Sequence, residues 1–277
     1  MLASIKQYSR TRCVEVASLS EEILTDLFEN RICAVQVPQY ASAEICSMLA
    51  RYFHDNSQLE DYYHEVRKGN EVNFLQYGVQ RLGVPYNTTY GKEKTSTEWL
   101  RYYEETLPTI RAVRSVCSPN LSPIDQLRLE LDELWPHGAS VGNFDGKKML
   151  VGIGRIMRPE TSYLAAAQPH FDSLPQRVAD LVSQFAANIY LEMPSVGGEL
   201  EMWDIDPLSV DKIDNADSDA NWREVLPESF LIKPKVGDLI LFNTRRAHAI
   251  QQFSSGNRIT LQCFIGMHKN RSISVWN

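Results

Sequence analysis

Pro169-His170-Phe171-Asp172 holds the chain's only His-x-Asp, and a further histidine, His248, follows much later. In an extended strand, residues i and i+2 point to the same face. One strand end can therefore present both His170 and Asp172 to a metal ion. A strand folding back can bring His248 to the same point. Two imidazoles and one carboxylate on one side of a metal leave the opposite positions open. That donor set suits non-haem Fe(II), with room for a co-substrate, dioxygen or water. A lone His-x-Asp is a weak signal, and the bland alternative is a surface loop with one hydrogen-bonded pair.

The surrounding segments strengthen the signal. Lys148–Ile156 reads as a strand leading toward the pair, and Phe185–Leu191 as a second. Gly197-Gly198-Glu199-Leu200-Glu201-Met202-Trp203 reads as a tight turn and a third strand. Val236–Phe242 is a turn feeding a buried strand, and Arg258–Ile265 alternates as a last strand. Short strands punctuated by Gly, Pro and Asp predict a double-sheet jelly roll able to hold a metal between its sheets.

With these parts in order, the chain resembles the Fe(II)/2-oxoglutarate-dependent dioxygenases. Their pattern is His-x-Asp, a distant His, and an Arg on the last strand; here these are His170, Asp172, His248 and Arg258. The Gly-Gly-Glu-Leu turn and Gly237-Asp238-Leu239-Ile240-Leu241-Phe242 are also typical. More narrowly, the chain is similar to a small-molecule branch with hapalindole-type alkaloid halogenases and hydroxylases of N-substituted L-amino acids. The similarity runs from near Glu29 to the C-terminus. The implied fold is mainly β with helical support (α+β). Its core is a double-stranded β-helix (jelly roll, cupin-like) flanked by N-terminal helices.

The resemblance implies Fe(II) held by His170, Asp172 and His248, with 2-oxoglutarate and O2 as co-substrates. Arg258 would hold the far carboxylate of 2-oxoglutarate, since a guanidinium offers two parallel hydrogen bonds. Thr260 would add a hydroxyl from the same face, as in the family's Arg-x-Ser/Thr pattern. Tyr190 is a further candidate for the co-substrate if strand register turns it inward, and Asn188 and Trp203 are candidates to line the cavity. Arg155 interrupts an apolar strand, and a buried Arg needs an anionic partner. It is read either as a clamp for a substrate carboxylate or for 2-oxoglutarate, or as a structural salt bridge with Glu199 or a rim Asp. Arg245 and Arg246, just before His248, read as solvent-facing. Asp172 matters for the outcome: in the branch's halogenases a Gly or Ala stands there and halide takes the vacated position. A carboxylate points instead to hydroxylation or a related C–H oxidation.

Composition narrows the partners. The chain has 277 residues, 43% hydrophobic and 23% charged, enough for one large domain. Its net charge of −7 disfavours binding to a nucleic acid backbone. Five scattered cysteines lack metal-ligand spacing and fit a reducing compartment as small core residues. No apolar stretch approaches the roughly 20 residues of a membrane span, and no secretory signal is visible. The expectation is a soluble, cytoplasmic monomer or homodimer acting on a small molecule, without nucleic acid or membrane.

The single domain is expected to divide in style. Residues 1–140 read as a mostly helical buttress with pocket loops, and 141–277 as the jelly-roll core with an insertion at 204–230. Residues 1–17 suggest a first strand and a loose end. Ser18-x-x-Glu21 has the form of a capping box opening a helix that ends near Asn30. Further helices are expected at Ser42–Phe53, at Thr95–Val116 bent or divided by Pro108, and at Ser122–Trp135. Residues 70–95 read as a polar aromatic loop, either lining a pocket or merely connecting. The Asp-rich insertion reads as solvated, with a lid over the pocket as the alternative. The leading function is a small-molecule 2-oxoglutarate oxygenase acting on an amino acid, an N-substituted amino acid or a natural-product intermediate. The alternatives are a non-catalytic metal- and 2-oxoglutarate-binding jelly roll, or an oxygenase acting on protein.

Overall fold

Alternating side-chain patterns organise a large and a small sheet in the computed structural model, which describes residues 10–68, 71–144, 146–214 and 221–277. The first half contributes β1 (Thr11–Glu15), α1 (Glu21–Phe28), β2 (Ile32–Val37) and α2 (Ala43–His54). Next come β3 (Glu60–Lys68), β4 (Glu71–Leu82), α3 (Thr97–Cys117) and α4 (Pro123–Leu134). Short strands β5 (Ala139–Val141), β6 (Asn143–Phe144) and β7 (Lys147–Lys148) lead to β8 (Ile153–Met157) and the long β9 (Leu181–Glu192). The remainder is β10 (Leu200–Trp203), α5 (Val210–Asp214), α6 (Trp222–Val225), β11 (Ser229–Ile232), β12 (Leu239–Asn243), β13 (His248–Ile250), β14 (Arg258–His268) and β15 (Ile273–Trp276).

The large sheet runs β1-β2-β12-β9-β14-β8-β4-β3, with β15 pairing β14 and β5. Its ladders are antiparallel except β1–β2 and β15–β5. The small sheet is β11-β10-β13. Period-2 alternation sorts the large sheet's side chains. Phe185, Ala187, Ile189, Leu239, Leu241, Ile259, Leu261 and Cys263 pack with Leu24, Leu49, Phe53 and Leu127 of the helices. Between the sheets, Ala186, Tyr190, Ile240, Phe242 and Phe264 meet Leu200, Met202 and Phe230 of the small sheet. The architecture is therefore the expected helix-buttressed jelly roll.

Several local expectations change. The cap of α1 is Ser20, whose hydroxyl accepts from the Ile23 amide, rather than Ser18. Pro108 lies inside one continuous helix. Lys148–Ile156 is not one strand: β8 starts only at Ile153, after Gly152 at φ +99°. Arg258–Ile265 is not the last strand, because β15 folds back on its end. The supposed loop at 70–95 begins as β4, half of an unforeseen hairpin with β3. Both strands carry many charged and amide groups, and β3 lies at the sheet edge, where charge is tolerated. Of the cysteines, Cys33, Cys46, Cys117 and Cys263 are buried and free, as small core residues should be. No helix among the described residues is long and apolar enough to cross a membrane. Asp217 and Asp219 of the insertion, and the first nine residues, lie outside the described residues.

Candidate metal centre

His170 and His248 are brought side by side by the backbone. They form an antiparallel bridge, His170 N–H donating to His248 O at 3.0 Å and His248 N–H to His170 O at 3.1 Å. Directly opposed residues of an antiparallel pair share a face. The ring centroids accordingly stand 4.3 Å apart. Asp172, two residues on, turns to the same side. Its amide donates to Thr244 O at 2.9 Å, and the Thr244 hydroxyl donates to Asp172 O at 2.9 Å. The three side chains each offer a ligand atom, all within 4.8 Å of one another. His248 Nε2 lies 3.6 Å from Asp172 Oδ2.

Hydrogen bonds orient both rings. His170 Nδ1 meets Gln168 O at 2.8 Å, and His248 Nδ1 meets Arg246 O at 3.0 Å. A carbonyl only accepts, so each Nδ1 carries the proton and each Nε2 keeps its lone pair for the centre. Burial pushes the His170 imidazole down to about 4, with the His248 and Arg155 charges adding to it against the opposing pull of Asp172. Burial alone would raise the Asp172 carboxyl; the two histidines and Arg155 outweigh it and hold it well below the usual carboxylate range. At neutral pH His170 is thus a neutral imidazole and Asp172 a carboxylate, the forms in which each binds a metal. The donor set and its orientation fit a non-haem Fe(II) ion.

Phe171, between the ligands, points the other way. Its ring packs edge-on against Trp222 of α6 at 5.1 Å, in a cluster with Trp203, Ala247 and Ala249. Arg223, the next residue of α6, donates to Ala167 O at 2.9 Å and to both carboxylate oxygens of buried Glu201. The insertion is therefore not merely a solvated excursion: its second half braces the loop that carries two of the three ligands.

Arg258 lies on β14, on the interior face of the large sheet. The Arg258 side chain is 5% exposed. Its Nε donates to Gly198 O at 3.1 Å, Nη2 donates to the Tyr190 hydroxyl at 3.2 Å, and its guanidinium stands 5.0 Å from that ring. Among the described residues it meets no carboxylate within ion-pair distance. Gly198 O is presented by the Gly197-Gly198 turn, at φ +82° and +77°. A Cβ at Gly197 would fall 2.2 Å from Gln252 O, so the turn requires glycine there. Register decides the remaining candidates. Thr260 opposes Tyr190 on one side and Arg155 on the other, so all three face the interior with Arg258. Asn188, opposite Gln262, also faces inward, and its buried Oδ1 has no partner.

Three placements differ from expectation. Trp203 packs under α6 with Arg223 over its ring at 5.6 Å, away from the cavity; Met202 is the inward neighbour. Arg245 and Arg246 are not solvent-facing but 5% and 0% exposed. They tie the turn before His248 to backbone carbonyls of Leu181, Val182 and Ile205. Arg155 forms no salt bridge with Glu199 or with a rim Asp. Neither Tyr62 nor Trp222 is marked by residue type or spacing; they reach the site through ring contacts, Tyr62 with Tyr77 at 5.4 Å and Trp222 with Phe171 at 5.1 Å.

Residues 161–266 match the 2OG-Fe(II) oxygenase superfamily. No curated protein matches the chain by sequence. Among solved structures, an N-substituted L-amino acid dioxygenase from Burkholderia ambifaria is 13% identical, with 79% of this chain and 100% of that one covered at a TM-score of 0.45. HygX from Streptomyces hygroscopicus, with nickel and 2-oxoglutarate bound, is 12% identical over 90% and 87% of the two chains, TM-score 0.46. A Pseudomonas putida prolyl-4-hydroxylase is 15% identical over 88% and 96%, TM-score 0.41.

Proposed function

From a chain whose residues 161–266 match the 2OG-Fe(II) oxygenase superfamily, we propose an Fe(II)- and 2-oxoglutarate-dependent enzyme that hydroxylates, or otherwise oxidises a C–H bond of, a small molecule. One observation carries the co-substrate assignment. Arg258 is a buried cation whose donors, among the described residues, meet a carbonyl and a phenol and no carboxylate. A buried charge left without a counter-charge is costly, and a carboxylate ligand relieves that cost.

His170, Asp172 and His248 would hold the iron, and Arg258, Thr260 and Tyr190 the far carboxylate of 2-oxoglutarate. When bound, the iron and 2-oxoglutarate supply the oxidising chemistry, with dioxygen consumed and succinate and CO2 released. The chain's own residues supply geometry. Gln168 O and Arg246 O keep both Nδ1 protons in place, so neither ring turns its lone pair away. Thr244 fixes the Asp172 backbone from two directions. Tyr190 steadies the guanidinium that orients the co-substrate, and the walls of Phe242, Met202 and Tyr190 exclude water. Asp172 fills the position that a halide would need, which supports oxygen transfer over halogenation. The single domain is read as one catalytic unit, in which the 204–230 insertion braces the centre.

The test is anaerobic addition of Fe(II) and then 2-oxoglutarate, followed by visible absorption. A weak charge-transfer band is expected in the native protein and none in His248→Ala. Absence of both the band and 2-oxoglutarate binding in the native protein would sink the oxygenase reading.

A further inference from the structure

Arg258 has a counterpart across the sheet. Arg155 on β8 opposes Thr260 on one side and Arg81 of β4 on the other, so the three side chains share the interior face. Arg81 has a counter-charge: it donates to Glu60 at 3.0 Å and to Gly83 O at 2.8 Å. Arg155 is not. It is half-buried, and among the described residues it makes no hydrogen bond and no ion pair. The ring of Tyr62 stands 5.9 Å from the guanidinium carbon. An aromatic face attracts a cation but accepts none of the five N–H donors in line.

The surroundings of Arg155 lead to the metal centre. Tyr62 stands 5.4 Å from Tyr77, and Tyr77 meets His170 edge-on at 5.7 Å. The Asn87 amide donates to the Tyr62 hydroxyl and holds that ring. Tyr62 and Tyr77 thus form a wall running from a guanidinium with no protein hydrogen bond among the described residues to a metal ligand. One organic molecule could lie along it, with an anionic head at one end and a C–H bond near the centre at the other.

We propose that Arg155 binds the carboxylate of the organic substrate, so that the substrate class is a small carboxylic acid whose body lies against Tyr62 and Tyr77. This deepens the oxygenase reading and rests on it for the reaction, but not for the binding. Among the described residues neither interior cation meets a protein carboxylate at ion-pair distance, and 2-oxoglutarate has one far carboxylate to give. Arg258 is the more buried and is already aimed by Tyr190 and Gly198, so it takes the co-substrate and Arg155 is left for the second acid.

The experiment uses protein loaded with Zn(II), which prevents turnover, with and without saturating N-oxalylglycine. Benzoate, phenylacetate and hexanoate are each titrated beside the matching primary amide, by thermal shift. Native protein should be stabilised by at least one acid and by none of the amides. Arg155→Gln should lose that response by roughly tenfold or more in affinity, while binding 2-oxoglutarate within about twofold of native by the same affinity scale. Arg155→Lys, which keeps the charge and guards against a folding defect, should retain part of it. Equal response to acids and amides, no response in native protein, or an undiminished response in Arg155→Gln would each overturn the proposal. A tenfold loss of 2-oxoglutarate affinity in Arg155→Gln would also overturn it, placing Arg155 in the co-substrate site. Failure of native protein to bind 2-oxoglutarate counts instead against the oxygenase reading, and the acid titrations without N-oxalylglycine still decide Arg155.

Discussion

The same strands build two unlike surfaces. Toward the helices, Phe185, Ala187 and Ile189 of β9 and Ile259, Leu261 and Cys263 of β14 are closely packed hydrocarbon and sulfur. One residue over, Asn188, Tyr190, Arg258, Thr260 and Gln262 face the interior with polar groups, one of them an orphaned amide oxygen and one a cation without a carboxylate. The first surface is complete by itself. The second leaves polar groups for a ligand to satisfy. Stability and function are thus separated by the pleat of a single strand, at a distance of one residue.

That separation can be broken from either side. The largest effect belongs to the packed face: Phe185→Ala should cost about 3–5 kcal/mol of stability, read by urea unfolding, with 2-oxoglutarate affinity of the folded protein unchanged. A tenfold change in that affinity would show that the two faces are coupled. The converse is Arg258→Met. It should weaken 2-oxoglutarate by roughly 100-fold, about 2.7 kcal/mol, and leave the metal-free protein as stable as before or more so, because an uncompensated buried charge is removed. Unfolding of this variant would make Arg258 a structural residue. Thr260→Val should weaken co-substrate by about tenfold or less, the loss of one hydroxyl hydrogen bond, and an unaltered affinity by calorimetry would remove Thr260 from the site.

The interior face should also show a pH dependence. The unfolded chain protonates His170 below its ordinary 6.5, but the folded protein resists until about 4 because the ring is buried. The unfolded state then binds the extra proton, so metal-free stability should fall as pH drops through that window. His170→Asn should flatten the curve between those values. The Asp172 contribution has the opposite origin: its carboxyl is held below the ordinary 3.8, so its stabilisation is lost only under more acidic conditions.

Legibility in the sequence followed the range of the contacts involved. His170 and Asp172 share a face by local period, and so do Arg258 and Thr260; spacing alone therefore revealed both pairs. The helices were legible from stripes and caps, although Ser20 displaced Ser18 because two serines competed for the same end. Tyr190 could not be turned inward without knowing that it opposes Thr260 across the sheet. Trp203 was turned the wrong way for the same reason, since one residue of register reverses a strand's faces. Tyr62 and Tyr77 sit on a charged hairpin whose alternation is too weak to announce strands. Arg245 and Arg246 looked solvent-facing because the carbonyls they serve lie on distant segments.

The Phe171–Trp222 contact has a thermodynamic corollary. Helix α6 touches no ligand atom, yet it shares a packed cluster with the residue between two of them. Whatever opens α6 also loosens His170 and Asp172, so an ion that binds only the ordered centre must oppose that opening by mass action. The amide proton that closes α6, the Leu226 N–H bonded to Trp222 O at 2.9 Å, becomes a remote reporter of metal occupancy, as do those within the helix. Their exchange with solvent should slow when Zn(II) is added and stay fast in Phe171→Ala, where the mechanical link has been cut.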